Sequence, residues 1–224
     1  MEGRLEKMIF ITFEGLDGCG KSVQIELLTK FLREKGFEVV RVSEPGGSYA
    51  SQIIRDVLRD PDVRMNVMTE FLLFSASRSE MVEKVLMKNQ DRDVILISDR
   101  FADSSYAYQV HGKGLDEDFF SEVTERVVRG FIPDLTIWID VPPCECRRRL
   151  RKRGGLERME RLGLDFFARV RRGYLKLSEQ VPDRFVRVEG HRSVGEVHKE
   201  IVELTLNGII RKEIFELLKK EKEK

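Results

Sequence analysis

The run Gly15-Leu16-Asp17-Gly18-Cys19-Gly20-Lys21-Ser22 constrains this chain more than any other feature. It has G-x-x-x-x-G-K-[ST] spacing and lies between two segments of different periodicity. Ahead of it, Met8–Glu14 (MIFITFE) is a near-continuous apolar run, the pattern of a parallel strand covered on both faces. Behind it, Val23–Lys35 sets Ile25, Leu28, Phe31 and Leu32 at helical spacing and stops at Gly36. Strand, glycine-rich turn and helix together gather backbone N–H groups and a helix N-terminus around a phosphate chain. Gly15, Gly18 and Gly20 permit the close wrapping. Lys21 is expected between the β- and γ-phosphates of a nucleotide, and the Ser22 hydroxyl is expected on Mg²⁺. The motif predicts triphosphate binding without naming a reaction.

The remainder continues the alternation. Val39–Val42, Val94–Ser98 (VILIS), Leu135–Asp140 (LTIWID) and Phe185–Val188 read as strands. Helical spacing fills about 50–58, 69–87, 116–129, 143–151, 164–179 and 193–206. This order predicts an α/β three-layer domain with a parallel sheet. The 224 residues show no repeat and no linker, so a single domain over 1–224 is expected. An additional helix is expected at about 208–224, with Ile210, Ile214, Leu217 and Leu218 on one face. Forty basic and thirty-nine acidic residues give a net charge of +1, which argues against a nucleic-acid or membrane partner. Met1–Lys7 has no apolar stretch of signal-peptide length, and no run approaches the roughly 20 apolar residues of a membrane span. Three cysteines form no disulfide framework, so a reducing, cytoplasmic setting is expected.

Several residues narrow the chemistry. Asp99 and Arg100 follow the strand Val94–Ser98, at the sheet edge where ligands bind in open α/β folds. Asp99 can hold Mg²⁺ through water, and Arg100 can grip an acceptor phosphate. Phe74 and Arg78 stand four apart on one helix face, a ring to stack a base and a guanidinium to bond its edge. Between Cys144 and Arg172 there are eleven basic and four acidic residues, a local charge of +7, interrupted by Gly154-Gly155. A lid over about 147–163 that closes on a triphosphate is expected there. No guanine-recognition tetrad of the NKxD type occurs, which argues against a GTPase.

Six segments in order resemble the thymidylate kinase family over roughly residues 8–205. They are Phe13–Gln24 (FEGLDGCGKSVQ), Glu44-Pro-Gly-Gly47, Leu72–Arg78 (LLFSASR), Asp99–Gln109 (DRFADSSYAYQ), Pro133–Asp140 (PDLTIWID) and Arg153–Glu160 (RGGLERME) with Asp165-Phe-Phe beyond. The resemblance implies a five-stranded parallel sheet of order 2-3-1-4-5, a homodimer, and transfer of the ATP γ-phosphate to dTMP with Mg²⁺. It also implies residue roles. Asp17 would bond the sugar 3′-hydroxyl, and Arg55 and Arg100 would hold the acceptor phosphate. Phe74 would stack on thymine and Arg78 would bond its edge. Ser104, Ser105 and Gln109 would line the base end, with Tyr108 crowding a ribose 2′-hydroxyl. Gly18 and Cys19 carry no charge, so the arginine near the transferring phosphate would come from the lid, Arg153 first and Arg158 second. Ser43, Ser48-Tyr49 and Ser77 depart from the family's common residues, and the glycine expected after Gln109 comes only at Gly112. A deoxynucleoside kinase or another monophosphate kinase of this fold is the alternative enzyme, and a nucleotide-binding module without turnover the alternative of another class.

Overall fold

A computed structural model describes residues 7–154 and 157–222, with side chains for all of these except Arg153 and 210–222. Five parallel strands form one sheet in the order β2-β3-β1-β4-β5: β1 (Ile9–Glu14), β2 (Val39–Ser43), β3 (Ile95–Asp99), β4 (Leu135–Asp140) and β5 (Phe185–Glu189). β1 sits at the centre, Ile9 opposite Ile95 on one side and Ile11 opposite Leu135 on the other. All six of its residues are buried, which is why its sequence is apolar almost throughout. The two-residue period then divides them. Ile9, Ile11 and Phe13 join a cluster with Ile25, Leu28, Val197 and Ile201. Phe10 joins another with Met81, Leu86, Leu96 and Val128.

Helices link the strands: α1 (Lys21–Glu34), α2 (Tyr49–Arg59), α3 (Val67–Met81), α4 (Met87–Asn89), α5 (Ala102–Ser105), α6 (Glu117–Val128), α7 (Pro143–Arg153), α8 (Leu164–Gln180) and α9 (Val194–Lys222). Side chains begin several of them. Ser48 accepts from the Ser51 amide at 3.1 Å, Asn66 from Thr69 at 2.8 Å and Asp116 from Phe119 at 2.8 Å. Gly36, at φ 87°, turns the chain out of α1 as its position after the helical pattern implies.

The expected strands and sheet order are all present. Three helical details differ. The expected helix at 69–87 runs on to Asn89 but passes through a π-helical turn, Val82–Leu86. The DRFADSSYAYQ motif forms α5 and a π-helical segment, Tyr106–Gly112, for which no helical spacing is legible. Tyr106, Ala107, Tyr108, Gln109 and Val110 are all buried, so no apolar stripe marks the segment. The helix at 193–206 and the tail at 208–222 are one continuous helix, α9, through Gly208. The apolar face expected on that tail, and the lid residues Gly155 and Leu156, lie outside the described residues. Among the described residues no helix is long and apolar enough to cross a membrane.

Candidate active site

The carboxyl ends of β1 and β3 open into one cavity of about 390 Å³. At its floor the loop from Gly15 to Gly20 turns into α1. Gly15, Gly18 and Gly20 have φ of 139°, 82° and 105°. A Cβ at Gly15 would meet the Ile139 carbonyl oxygen at 2.6 Å, so both backbone shape and space require glycine there. The first turn of α1 has neither a side-chain cap nor an acidic residue, so its amides and dipole are free to meet an anion. Lys21 is buried, with Nζ 3.1 Å from the Gly15 carbonyl and 3.2 Å from that of Leu16. It is thereby held over the loop. Ser22 and Asp99 line the same cavity. Two hard oxygen donors beside a phosphate cradle fit a Mg²⁺ that takes most of its ligands from nucleotide and water. Among the described residues no cluster of three or more His, Cys, Asp or Glu forms a metal cage of its own.

Arg100 dominates the opposite wall. Its backbone has φ 75°, a left-handed conformation that costs a non-glycine residue energy. The Phe13 carbonyl accepts its N–H at 3.0 Å and fixes the turn. Nη2 donates to Asp17 Oδ1 at 2.7 Å and to the Tyr108 hydroxyl at 3.2 Å. Nη1 donates to Ser104 Oγ at 2.8 Å and to the Tyr174 hydroxyl at 3.2 Å. Burial pushes the Asp17 carboxyl up, but Arg100 and Lys21 outweigh it and hold the group below the usual range.

Behind Arg100 lies Glu14, the last residue of β1, fully buried. It accepts from the Phe101 amide at 2.8 Å, from the Tyr174 hydroxyl at 2.9 Å and from the Ser104 hydroxyl. Burial pushes its carboxyl up to about 7; Arg100 opposes this, Asp103 adds to it, and the bonds from Ser104 and Phe101 oppose it again. A carboxyl raised from 4.5 keeps its proton in the folded chain where the unfolded chain has lost it. Its contribution to stability therefore falls between pH 4.5 and 7, by up to about 3 kcal/mol, and stays lost above pH 7. Urea unfolding at pH 5 and pH 8 should show a smaller fall for Glu14→Gln than for the wild-type chain. Equal falls in the two proteins would remove this assignment.

The far end of the cavity is lined by Phe74, Ser105, Tyr108 and Gln109, with Arg55 to one side. Arg55 Nη1 donates to Ser43 Oγ at 3.1 Å and to the Pro45 carbonyl at 2.7 Å. Ser43, where the family commonly has arginine, thus serves to aim Arg55. Arg78 sits deeper than the helical spacing implies. Its side chain is fully buried against Glu44, with Nε 3.0 Å from Glu44 Oε2 and Nη2 2.8 Å from Ser105 Oγ. Nη1 is buried with no partner among the described residues, and Arg78 is not among the residues that line the cavity.

Arg158 lies elsewhere than the lid expectation put it. It does not line the cavity; Nε donates to the Leu58 carbonyl at 2.8 Å, and Nη1 pairs with Glu70 at 2.6 Å. A desolvated carboxylate already inside the protein holds a guanidinium more firmly than a solvated site does. The Arg153 side chain is outside the described residues. Among the described side chains of α7, Arg149 reaches the phosphate loop, with Nη1 3.2 Å from the Cys19 carbonyl and Nη2 3.4 Å from that of Gly190. Sequence reasoning missed Arg149, Glu14, Tyr174 and the cavity-lining Arg59, Glu157 and Glu160. Glu14 had a signal in its place directly before the loop; Tyr174, 160 residues from Glu14, had none.

The thymidylate kinase family model matches residues 13–201. The thymidylate kinase of Thermoanaerobacter sp. (strain X514) is 40% identical over 195 residues, covering 87% of this chain and 96% of that one. That of Kosmotoga olearia is 39% identical over 194 residues, 87% and 93% of the two chains. The crystal structure of thymidylate kinase from Ehrlichia chaffeensis superposes with a TM-score of 0.73 at 29% identity, over 88% of this chain and 98% of that one. Matched by the family model over most of its length and about 40% identical to the first two of these relatives, the chain belongs to the thymidylate kinase family.

Proposed function

We propose that the protein transfers the γ-phosphate of ATP to dTMP, with Mg²⁺, in the cytoplasm. The observation that carries this reading is Arg100, held by Asp17 on one side and by Ser104 and Tyr174 on the other, in the cavity that Lys21 also lines. Donor and acceptor phosphates then meet between two fixed cations. Such transfer needs alignment and charge compensation rather than covalent help. A phosphate monoester oxygen is ionised at neutral pH, so no general base is required. Arg55 and Arg100 orient the acceptor phosphate, Lys21 and the loop amides hold the donor, and Arg153 is assigned to the transferring group by resemblance to the lid type of the family. Ser22, and Asp99 through water, would hold Mg²⁺, which would supply charge neutralisation of the phosphates. At the base end, Phe74 stacks and Gln109 donates or accepts at the base edge, and Arg78 is assigned to that edge by resemblance to the family. Tyr108 beside Asp17 restricts the sugar to the deoxy form, and Asp17 is the partner of its 3′-hydroxyl.

Coupled ADP release with dTMP, dUMP, UMP, CMP and thymidine tests the reading. dTMP should give the highest kcat/KM, and preferred turnover of thymidine would favour a deoxynucleoside kinase instead.

The protein is further proposed to be a homodimer, as the family resemblance implies. Tyr49, Ile53 and Val57 stand at four-residue spacing on α2 and are exposed, as are Met68 and Leu72 on the neighbouring α3. Contact between two copies would cover this stripe. Light scattering should give twice the chain mass of 26.1 kDa, and Ile53→Glu should halve it. A wild-type mass of one chain would exclude the dimer.

A further inference from the structure

Glu70, in the first turn of α3, is a fully buried carboxylate to which the phosphoryl-transfer scheme gives no part. Two segments converge on it. From the π-helical segment comes Gln109, whose Nε2 donates to Oε1 at 2.9 Å, and from its end Lys113, whose Nζ lies 2.6 Å from Oε2. From the chain beyond α7 comes Arg158, whose Nη1 lies 2.6 Å from the same Oε2. Gln109 lines the cavity, and so do Glu157, Met159 and Glu160 on either side of Arg158. Arg158 itself turns away from the cavity, its amide reaching the Arg59 carbonyl at 3.2 Å and its Nε the Leu58 carbonyl at 2.8 Å. Arg59 and Glu157 form a second pair between α2 and this segment.

Burial pushes the Glu70 carboxyl up, but Lys113, Gln109 and Arg158 together hold it below the usual range, so it stays ionised. Its two cations are not equivalent. Lys113 follows directly on the helix that carries Gln109, whereas Arg158 belongs to the segment over the cavity. Should Arg158 withdraw, Glu70 keeps Lys113 and Gln109 and is not left as an unpaired buried charge. Loss of the Arg158 contact would therefore leave Glu70 with a charged partner.

We propose that Glu70 is a positioning residue: one carboxylate fixes the Gln109 amide at the acceptor base and, through Arg158, ties 157–160 down over the cavity. The inference rests on the kinase reading above and adds to it that base recognition and closure of the cavity share one anchor.

The test is steady-state turnover of ATP and dTMP by the full chain as wild type, Arg158→Gln, Arg158→Lys, Glu70→Gln and Glu70→Gln/Arg158→Gln. Arg158→Gln should lower kcat by about tenfold or more, with the KM for ATP changing less than about threefold, since closure is lost rather than a phosphate contact. Arg158→Lys should recover part of the loss. Glu70→Gln should lower kcat and also raise the KM for dTMP, because Gln109 loses its charged anchor. The double variant should fall within about threefold of Glu70→Gln, as expected of residues acting through one contact. Losses that multiply, or wild-type kcat in Arg158→Gln, would overturn the proposal. If Glu70→Gln does not fold, the two Arg158 variants still decide, because both keep Lys113 and Gln109 on Glu70. An inactive wild type would overturn the kinase reading and this one with it; an active wild type with multiplying losses overturns this one alone.

Discussion

Lys21→Met will lower kcat by about 10²–10³-fold, the loss found when one preorganised charge-stabilising group is removed from a reacting centre. That corresponds to roughly 3–4 kcal/mol of transition-state stabilisation. The argument starts from the geometry of the side chain. Lys21 is buried, and the Gly15 and Leu16 carbonyls fix its ammonium over the loop. Little reorganisation is needed when charge moves on the transferring phosphoryl group, so most of the electrostatic gain is realised in the transition state. Methionine keeps the length and apolar character of the stem and deletes the charge. The melting midpoint should therefore move little, and dTMP affinity measured by calorimetry should match wild type, because the acceptor is held from the Arg100 wall. A kcat within threefold of wild type would show that another cation carries the transfer.

Glu44→Ala is expected to destabilise the fold by about 3–5 kcal/mol, the range for breaking a buried ion pair from one side. Glu44 and Arg78 have side-chain exposures of 2% and 0% and meet through two bonds. Burial pushes the Glu44 carboxyl up and Arg78 pulls it back only in part. Removal of Glu44 leaves the guanidinium buried with the Ser105 hydroxyl as its remaining bonded partner among the described residues, so the urea midpoint should fall sharply at constant m. Glu44→Leu/Arg78→Met removes both charges and should recover most of that stability, yet dTMP affinity should stay weak without the free Nη1 donor. Recovery of affinity along with stability would mean that Arg78 serves packing rather than the base. The pair thus separates what the fold needs from what the acceptor needs.

The phosphate loop was legible because its information is local. Eight contiguous residues specify three special backbone positions, a helix start and a cation, and the apolar run before them specifies a strand covered on both faces. The same holds for β3 and β4, whose run lengths and bounding residues suffice to call them strands. Sheet order was available through family resemblance, and the sheet then brings Asp99 and Arg100 next to the loop because Phe13 pairs with Asp99 in register.

Charge pairing was not legible, and only the tertiary structure decided it. Arg78 and Glu44 are 34 residues apart, Arg158 and Glu70 are 88 positions apart on separate elements, and Tyr174 and Glu14 are 160 apart. An arginine on a helix face can serve a ligand, a carbonyl or a carboxylate, and the spacing that places it on that face is the same for all three. The choice falls to whichever acceptor is most desolvated within reach once the chain has packed, and burial is a property of the folded whole. The π-helical segment carrying Tyr108 and Gln109 follows the same logic: its side chains are buried on every side, so no periodic pattern records it, and packing alone selects its pitch. Local sequence determined where phosphate is held, and long-range burial determined which arginines are left to act on it.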